Sequence, residues 1–547
     1  MDQPTVLDVR NLSVDFETEI GIVNAVSDVS FSLKKGETLA IVGESGSGKT
    51  TTINAVLGLL TGNGRVTSGN ILFQGKNLAG LPEKEYRKIR GAHLGLVPQD
   101  PMSNLNPVLT IGDQVGEALL VHDRATKANV ADKVVSILEM AGLGSSSTRL
   151  KQYPHQFSGG MRQRVLIGIG LACNPEVLIA DEPTSALDVT VQKQILDHLA
   201  TLTTERGTAM ILITHDLGLA AERSEKIIVM RNGRIVEQGQ SAEILNNPQH
   251  EYTKRLVSAA PSIASTRYDT RSPQVGKARP TEHTKILTVE RLEKTYQVRD
   301  SNTRRKRRFH AVNDVSFEIE QGKTLAIVGE SGSGKSTIAR LILRLEEPDS
   351  GTISFRGRNM ATIRGRELKE LRSHMQPVFQ DPYSSLNPMA SIGELIEEPL
   401  KVHGIGNKQT RKRTAVDLLG QVSLDESLYD RFISELSGGQ RQRIAIARGL
   451  ALEPELMICD EPVSALDVIV QAQILELLKR LQSERKLSYL FISHDLAVVR
   501  MVAHEVLVMQ QGTVIERAHA AQLFENPQEE YTKKLLASIP GREILAG

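Results

Sequence analysis

Residues Gly36–Thr51 read GETLAIVGESGSGKTT. Thr38–Val42 is a run of β-favouring apolar residues without polar alternation, the pattern of a strand buried on both faces. Gly43, Gly46 and Gly48 follow at once, so the backbone can curl until successive N–H groups face one point. Lys49 and Thr50 then lead into TTINAVLGLL, whose apolar spacing predicts a helix through Leu60. Strand, glycine loop and helix in that order form a phosphate cradle, or P-loop. Lys49 brings a point charge for β- and γ-phosphates, the Thr50 hydroxyl can ligate Mg²⁺, and the helix N-terminus favours anions.

The stretch returns as GKTLAIVGESGSGKST, Gly322–Thr337, with Gly329, Gly332, Gly334, Lys335 and Ser336 in the corresponding places. VPQDPMSNLNP around Gln99 returns as VFQDPYSSLNP around Gln380, and ADEPTSALDV as CDEPVSALDV. FSGGMRQR returns as LSGGQRQR, LITHDL as FISHDL, and the tail NNPQHEYTKRLVSAAPS as ENPQEEYTKKLLASIPG. A constant order over such lengths is duplication of a whole domain, not a short solenoid repeat. The polar stretch Ile263–Lys285, with Pro273 and Pro280 and no apolar period, reads as a linker between domains 1–262 and 286–547. Each half, at about 260 residues, is large enough for its own core. The second half carries an extra basic stretch, Arg299–Arg308, read as a solvated loop ahead of a membrane or nucleic-acid contact.

VLIADE and LMICDE each end an apolar strand in two carboxylates, at the sheet edge where open α/β folds place ligands. Asp181 and Asp460 are expected in the Mg²⁺ shell, and Glu182 and Glu461 as the groups that polarise the attacking water. His215 and His494 follow the strands AMILIT and SYLFIS, and with Asp216 and Asp495 behind them they read as γ-phosphate sensors.

The chain has 547 residues, 66 basic against 65 acidic, a balance that gives no electrostatic reason for a nucleic-acid partner. Its two cysteines cannot build a disulfide framework or the four-thiolate set of an iron–sulfur cluster, so no such cluster is expected. Apolar runs fall short of the ~18 residues of a membrane span, and MDQPTVLDVR lacks a secretory layout. Composition thus points to a soluble, cytoplasmic protein.

With SGG at Ser158–Gly160 and Ser437–Gly439, the set resembles the ATP-binding-cassette (ABC) ATPases, twice and over nearly the whole chain. Walker A, glutamine loop, SGG signature, Walker B, D-loop and switch histidine all occur in family order. The resemblance implies an α/β P-loop NTPase fold in tandem. Each copy would have a RecA-like core, an antiparallel β subdomain, and a helical subdomain between Gln99 and Ser158 or Gln380 and Ser437. It implies ATP and Mg²⁺ as cofactors, with Ser45, Thr51, Ser331 and Thr337 joining the other Walker A residues around ATP. It also implies head-to-tail pairing of the halves, so that Lys49 and Glu182 work with Ser437, Gly438 and Gly439, and Lys335 and Glu461 with Ser158, Gly159 and Gly160.

By the same resemblance Gln99 and Gln380 touch Mg²⁺ or water, and Ser185–Asp188 and Ser464–Asp467 are the D-loops. Phe16 and Tyr296 would stack on adenine, although a strand aromatic packed in the core reads the same way. Met161 stands where the second half has Gln440, and Val463 replaces Thr184. Neither change removes a phosphate or metal ligand, so both sites are expected to hydrolyse ATP.

Two branches compete. A transport ATPase would need separate membrane permease subunits and an extracytoplasmic substrate-binding protein, and would sit on the cytoplasmic face of the membrane. A soluble relative would act on nucleic acid or ribosomes. PQDPMSNLNP, FQDPYSSLNP and the NPQ-x-EYTK tails resemble the di- and oligopeptide importer branch, with nickel and glutathione relatives. Sustained heptads and zinc cysteines, which soluble relatives need, do not occur. Peptide is therefore the first expected cargo, and a nickel complex or glutathione the second.

Overall fold

A computed structural model describes residues 3–18, 21–144, 146–184, 187–260, 284–299 and 306–541. The chain divides into two units, Met1–Ala264 with Pro540–Gly547, and Ser265–Ile539. Nearly all of the expected linker lies outside the described residues, as do Ser185 and Ala186 of the first D-loop.

The first unit opens with the long strands β1 (Thr5–Thr18) and β2 (Gly21–Lys34), followed by β3 (Thr38–Val42), β4 (Gly64–Phe73) and β5 (Lys76–Asn77). Then come β6 (Leu94–Val97), β7 (Val177–Asp181), β8 (Ala209–Thr214), β9 (Lys226–Arg231) and β10 (Arg234–Gln240). They form a four-stranded sheet, β2-β1-β4-β5, and a six-stranded sheet, β10-β9-β3-β8-β7-β6. The first is antiparallel; in the second only β10 runs against its neighbour.

β7 and β8 are buried along their full length, which is why their sequences do not alternate. Successive side chains feed opposite cores. Ile179, Ile211 and Ile213 pack with Leu7, Leu33 and Leu57 towards the antiparallel sheet. Leu178, Ala180 and Leu212 pack with Val115, Leu138 and Val165 on the other face. The latter come from the helices Ile111–Val121, Val130–Met140 and Gly159–Leu171, the first two being the helical insertion expected after Gln99. The helix after the glycine loop, Lys49–Leu57, ends short of Leu60: Gly58 turns left-handed (φ 62°) and its N–H bonds the Ala55 and Asn54 carbonyls.

The second unit repeats the plan with β11 (Lys285–Arg299), β12 (Lys306–Glu320), β13 (Thr324–Val328), β14 (Ser350–Phe355) and β15 (Arg358–Asn359). β16 (Met375–Val378), β17 (Leu456–Asp460), β18 (Ser488–Ser493), β19 (Glu505–Gln510) and β20 (Thr513–His519) complete it. The sheet orders are β12-β11-β14-β15 and β16-β17-β18-β13-β19-β20. The basic insert is not wholly a loop. Arg299 pairs with Lys306, and Gln297 with Arg308, so its ends lengthen the β11–β12 hairpin, while 300–305 lie outside the described residues. Among the described residues no helix is long and apolar enough to cross a membrane. Cys173 and Cys459 are both buried, and burial pushes both thiols up, Cys459 to about 12.

Candidate functional site

The parallel strands deliver the chemistry-bearing residues to one edge of each central sheet. After β3 the loop glycines take conformations closed to other residues: φ is 155° at Gly43, 76° at Gly46 and 99° at Gly48, with 150°, 80° and 104° at Gly329, Gly332 and Gly334. Lys49, only 6% exposed, folds back over the loop, its ammonium donating to Gly43 O at 2.7 Å and Glu44 O at 2.8 Å. Lys335 makes the same bonds to Gly329 O and Glu330 O, at 2.7 and 2.8 Å.

The carboxylates come next. The Thr50 hydroxyl donates to Asp181 Oδ2 at 3.2 Å, and Ser336 to Asp460 Oδ1 at 3.2 Å. Glu182 and Glu461 adopt the left-handed region, φ 42° and 49°, pinned by N–H bonds of 2.9 Å to Ile213 O and Ile492 O. The same left-handed backbone at equivalent glutamates of both units is a feature the two repeats share. Each glutamate carboxylate is engaged at both oxygens. Gln99 Nε2 donates to Glu182 Oε2 at 2.8 Å and His215 Nδ1 lies 3.1 Å from Oε1. In the second unit Gln380 donates to Glu461 at 2.9 Å and His494 Nδ1 lies 3.0 Å away.

Burial pushes Asp181 and Asp460 above the ordinary aspartate range, and the adjacent glutamates add to this, against the hydroxyl bonds and the P-loop lysines. Burial would raise Glu182 and Glu461 too, but the histidine bonds and charges, with Lys49 or Lys335, hold them below their usual value. Burial, the largest single effect, acts to lower His494, but the bond to Glu461 together with the charges of Glu461 and Asp495 raises it overall.

The His494–Glu461 pair therefore has a defined pH window. The His494 share of the stabilisation is full below the free-imidazole range and is lost as pH rises through the raised value. The Glu461 share is full above the free-glutamate range and is lost as pH falls through the depressed value. The cation role expected of Asp181 and Asp460 from the sequence would require them ionised, so the acid limb of the ATPase pH–rate profile is expected above the free-aspartate value of about 3.9. An acid limb at or below that value would contradict the assignment.

Asp216 and Asp495 stand at the starts of the helices Leu217–Arg223 and Leu496–Val502. Each caps the helix that follows, Asp216 accepting from Gly218 and Leu219 N–H groups and Asp495 from Ala497 and Val498. Of the aromatic pair, Phe16 lies across from Gly64 and covers it, whereas the Tyr296 hydroxyl donates to Glu346 and also meets Thr337 beside Ser336.

The SGG triplets start other helices, Gly159–Leu171 and Gly438–Leu450, and Ser158, Gly159, Ser437 and Gly438 are exposed. The second glycine serves packing. A Cβ on Gly160 would run into Val191, and one on Gly439 into Val470, on the following helix. Ser437 and Gln440 form a reciprocal capping box; Ser158 accepts the Met161 N–H, but the methionine side chain cannot return the bond. Met161→Gln is expected to complete the box and stabilise the first unit by up to about 1 kcal/mol, read from denaturant unfolding.

One pair went unflagged in the sequence. The Glu44 N–H donates to Tyr252 Oη at 3.0 Å and the Glu330 N–H to Tyr531 Oη at 3.2 Å. The only available signal was the repeated EYTK in both tails.

A family model described as "ABC transporter" matches residues 26–185 and 312–464. A second, "Oligopeptide/dipeptide transporter, C-terminal region", matches 236–285 and 515–544. Glutathione import ATP-binding protein GsiA of Salmonella choleraesuis (strain SC-B67) is 42% identical over 562 residues, covering 99% of this chain and 90% of the relative. Its namesake from Escherichia coli (strain K12) is 42% identical over 565 residues, covering 99% and 91%. Among solved structures, the ATP-binding cassette MJ0796 bound to ADP and Pi aligns over 43% of this chain and 98% of its own, at 29% identity and a TM-score of 0.39. Two matched cassettes, each carrying the lysine–aspartate–glutamate constellation at its sheet edge, show that this chain belongs to the ABC transporter family, as a tandem ATPase.

Proposed function

We propose that this chain is the ATP-hydrolysing subunit of a membrane importer of short peptides, peripheral to the cytoplasmic face of the membrane. The doubled constellation carries the reading: Lys49, Asp181, Glu182, Gln99 and His215 recur as Lys335, Asp460, Glu461, Gln380 and His494, and each cassette ends in a peptide-transporter tail. Lys49 and Lys335 take the β- and γ-phosphates. Glu182 and Glu461 orient the attacking water, and His215 and His494 hold those carboxylates in place. The hydroxyl and carboxylate oxygens of Thr50 and Asp181, and of Ser336 and Asp460, 3.2 Å apart in each pair, suit a hard cation. Mg²⁺ held there would neutralise phosphate charge.

Head-to-tail closure, with each SGG triplet completing the other cassette's site, belongs to the same proposal. It is supported by the exposure of Ser158, Gly159, Ser437 and Gly438 at helix N-termini. Permease subunits and an extracytoplasmic binding protein would supply the translocation path and the cargo specificity. Exposed apolar side chains just past each glutamine support a docked partner: Met102 and Val108 at 63% and 76%, Tyr383 and Met389 at 51% and 82%.

The relatives that match at 42% identity favour glutathione, itself a short peptide, within this class. The test is uptake of labelled glutathione, a dipeptide and an oligopeptide by cells lacking the gene. Uptake of one cargo is expected to vanish, returning with the wild-type chain but not with Glu182→Gln/Glu461→Gln. Unchanged uptake of all three peptides would refute the cargo class.

A further inference from the structure

The repeated tails end close to the phosphate cradle. In the first unit Glu237 of β10 clasps the start of the tail helix, its two carboxylate oxygens accepting the Gln249 and His250 N–H groups at 2.7 and 3.0 Å. Glu516 of β20 does the same for Gln528 and Glu529, at 2.9 and 3.1 Å. These clasps fix the helices Glu251–Ala259 and Glu530–Ala537. Tyr252 is thereby sunk to 1% exposure, with the Arg231 guanidinium 4.9 Å from its ring centre, and Tyr531 is half-buried.

Each tyrosine hydroxyl accepts the N–H of the residue after the first loop glycine. That N–H and the carbonyl of Gly43, or of Gly329, belong to one planar peptide group. The tyrosine therefore holds one end of the plane whose other end holds the lysine, since Gly43 O accepts Lys49 Nζ and Gly329 O accepts Lys335 Nζ, both at 2.7 Å. A hydrogen bond at the N–H polarises the carbonyl and strengthens its bond to the ammonium. It also fixes the peptide's rotation, which the glycine, at φ 155° or 150°, leaves free of the usual side-chain restraint.

We propose that Tyr252 and Tyr531 are positioning residues for nucleotide binding: each tail, through its tyrosine hydroxyl, orients the peptide that aims the P-loop lysine at the terminal phosphates. The inference rests on the reading that these lysines hold those phosphates.

The test uses the full-length chain and the double variant Tyr252→Phe/Tyr531→Phe, which keeps both rings and removes both hydroxyls. Dissociation constants for ATP and for AMP, which lacks β- and γ-phosphates, are measured by competition against a fluorescent ATP analogue. The expected result is an ATP constant raised about three- to tenfold, the scale of one hydrogen bond, with AMP within about twofold of wild type. Equal losses for ATP and AMP would mean a merely structural role, and an ATP constant within about twofold of wild type would mean no role; either overturns the proposal. Lys49→Ala/Lys335→Ala is the control. If that variant keeps wild-type ATP affinity, the lysine reading falls and the inference with it. If it loses ATP while the phenylalanine variant does not, only the inference falls.

Discussion

Replacing both Glu182 and Glu461 by glutamine is expected to lower steady-state ATP hydrolysis by about two to four orders of magnitude. Glutamine keeps the shape of the side chain and a carbonyl for the Gln99 or Gln380 amide, so binding and folding should survive. It loses the negative charge proposed to polarise the attacking water. The two carboxylates have the same surroundings, a strained left-handed backbone and contacts to a glutamine and a histidine. Each single variant should therefore lose at least about half of the turnover, and more if the sites fire in concert. The measurement is phosphate release at saturating ATP, beside ATP affinity. Near-wild-type turnover in either single variant would show that its site contributes nothing, and the equivalence of the halves would be wrong.

Gly43→Ala and Gly329→Ala are expected to weaken nucleotide binding in their own cassettes roughly a hundredfold. At φ 155° and 150° an alanine is strained, and its methyl would overlap the carbonyl oxygen of Met230 or Met509 on the neighbouring strand. Strain and overlap each cost about 1–3 kcal/mol, and relief would move the peptide on which the lysine rests. A displacement worth about 3 kcal/mol weakens binding roughly a hundredfold. Gly46→Ala is the comparison: φ is 76°, but nothing stands within 4 Å of its Cβ, so only the conformational strain applies. ATP-induced rise in melting temperature distinguishes them. It should be lost for the loop-entry glycines in combination and largely kept for Gly46→Ala. Equal behaviour of Gly43→Ala and Gly46→Ala would contradict the role assigned to the Met230 contact.

The features legible in the sequence were those written locally. TLAIV, VLIAD and AMILIT are continuous apolar runs because parallel strands are buried on both faces, and the glycine loop follows its strand directly. Glu182, Glu461, His215 and His494 were found as residues at the ends of such runs, and hydrogen bonds now join them. What the sequence did not disclose depends on distant closeness. The Glu44–Tyr252 bond spans 208 residues and leaves no periodic trace. The packing of Gly160 against Val191 looks, in sequence, like one more glycine of a signature. The capping role of Asp216 and Asp495 was likewise hidden, because the helices they start are only seven residues long. Gly58 carried a stop signal, but the apolar residues beyond it, Leu59 and Leu60, extend the same helical pattern.

The contacts of Glu182 and Glu461 to a side-chain amide and an imidazole have a mechanical consequence. One oxygen of Glu182 meets the Gln99 amide and the other the His215 ring, and each oxygen keeps a second lone pair. The amide belongs to Gln99, two residues ahead of the short helix Pro101–Asn104 and upstream of the helical insertion. The Gln99–Glu182 bond is thus a tether: a displacement of the insertion that carries Gln99 with it cannot leave the Glu182 carboxylate undisturbed.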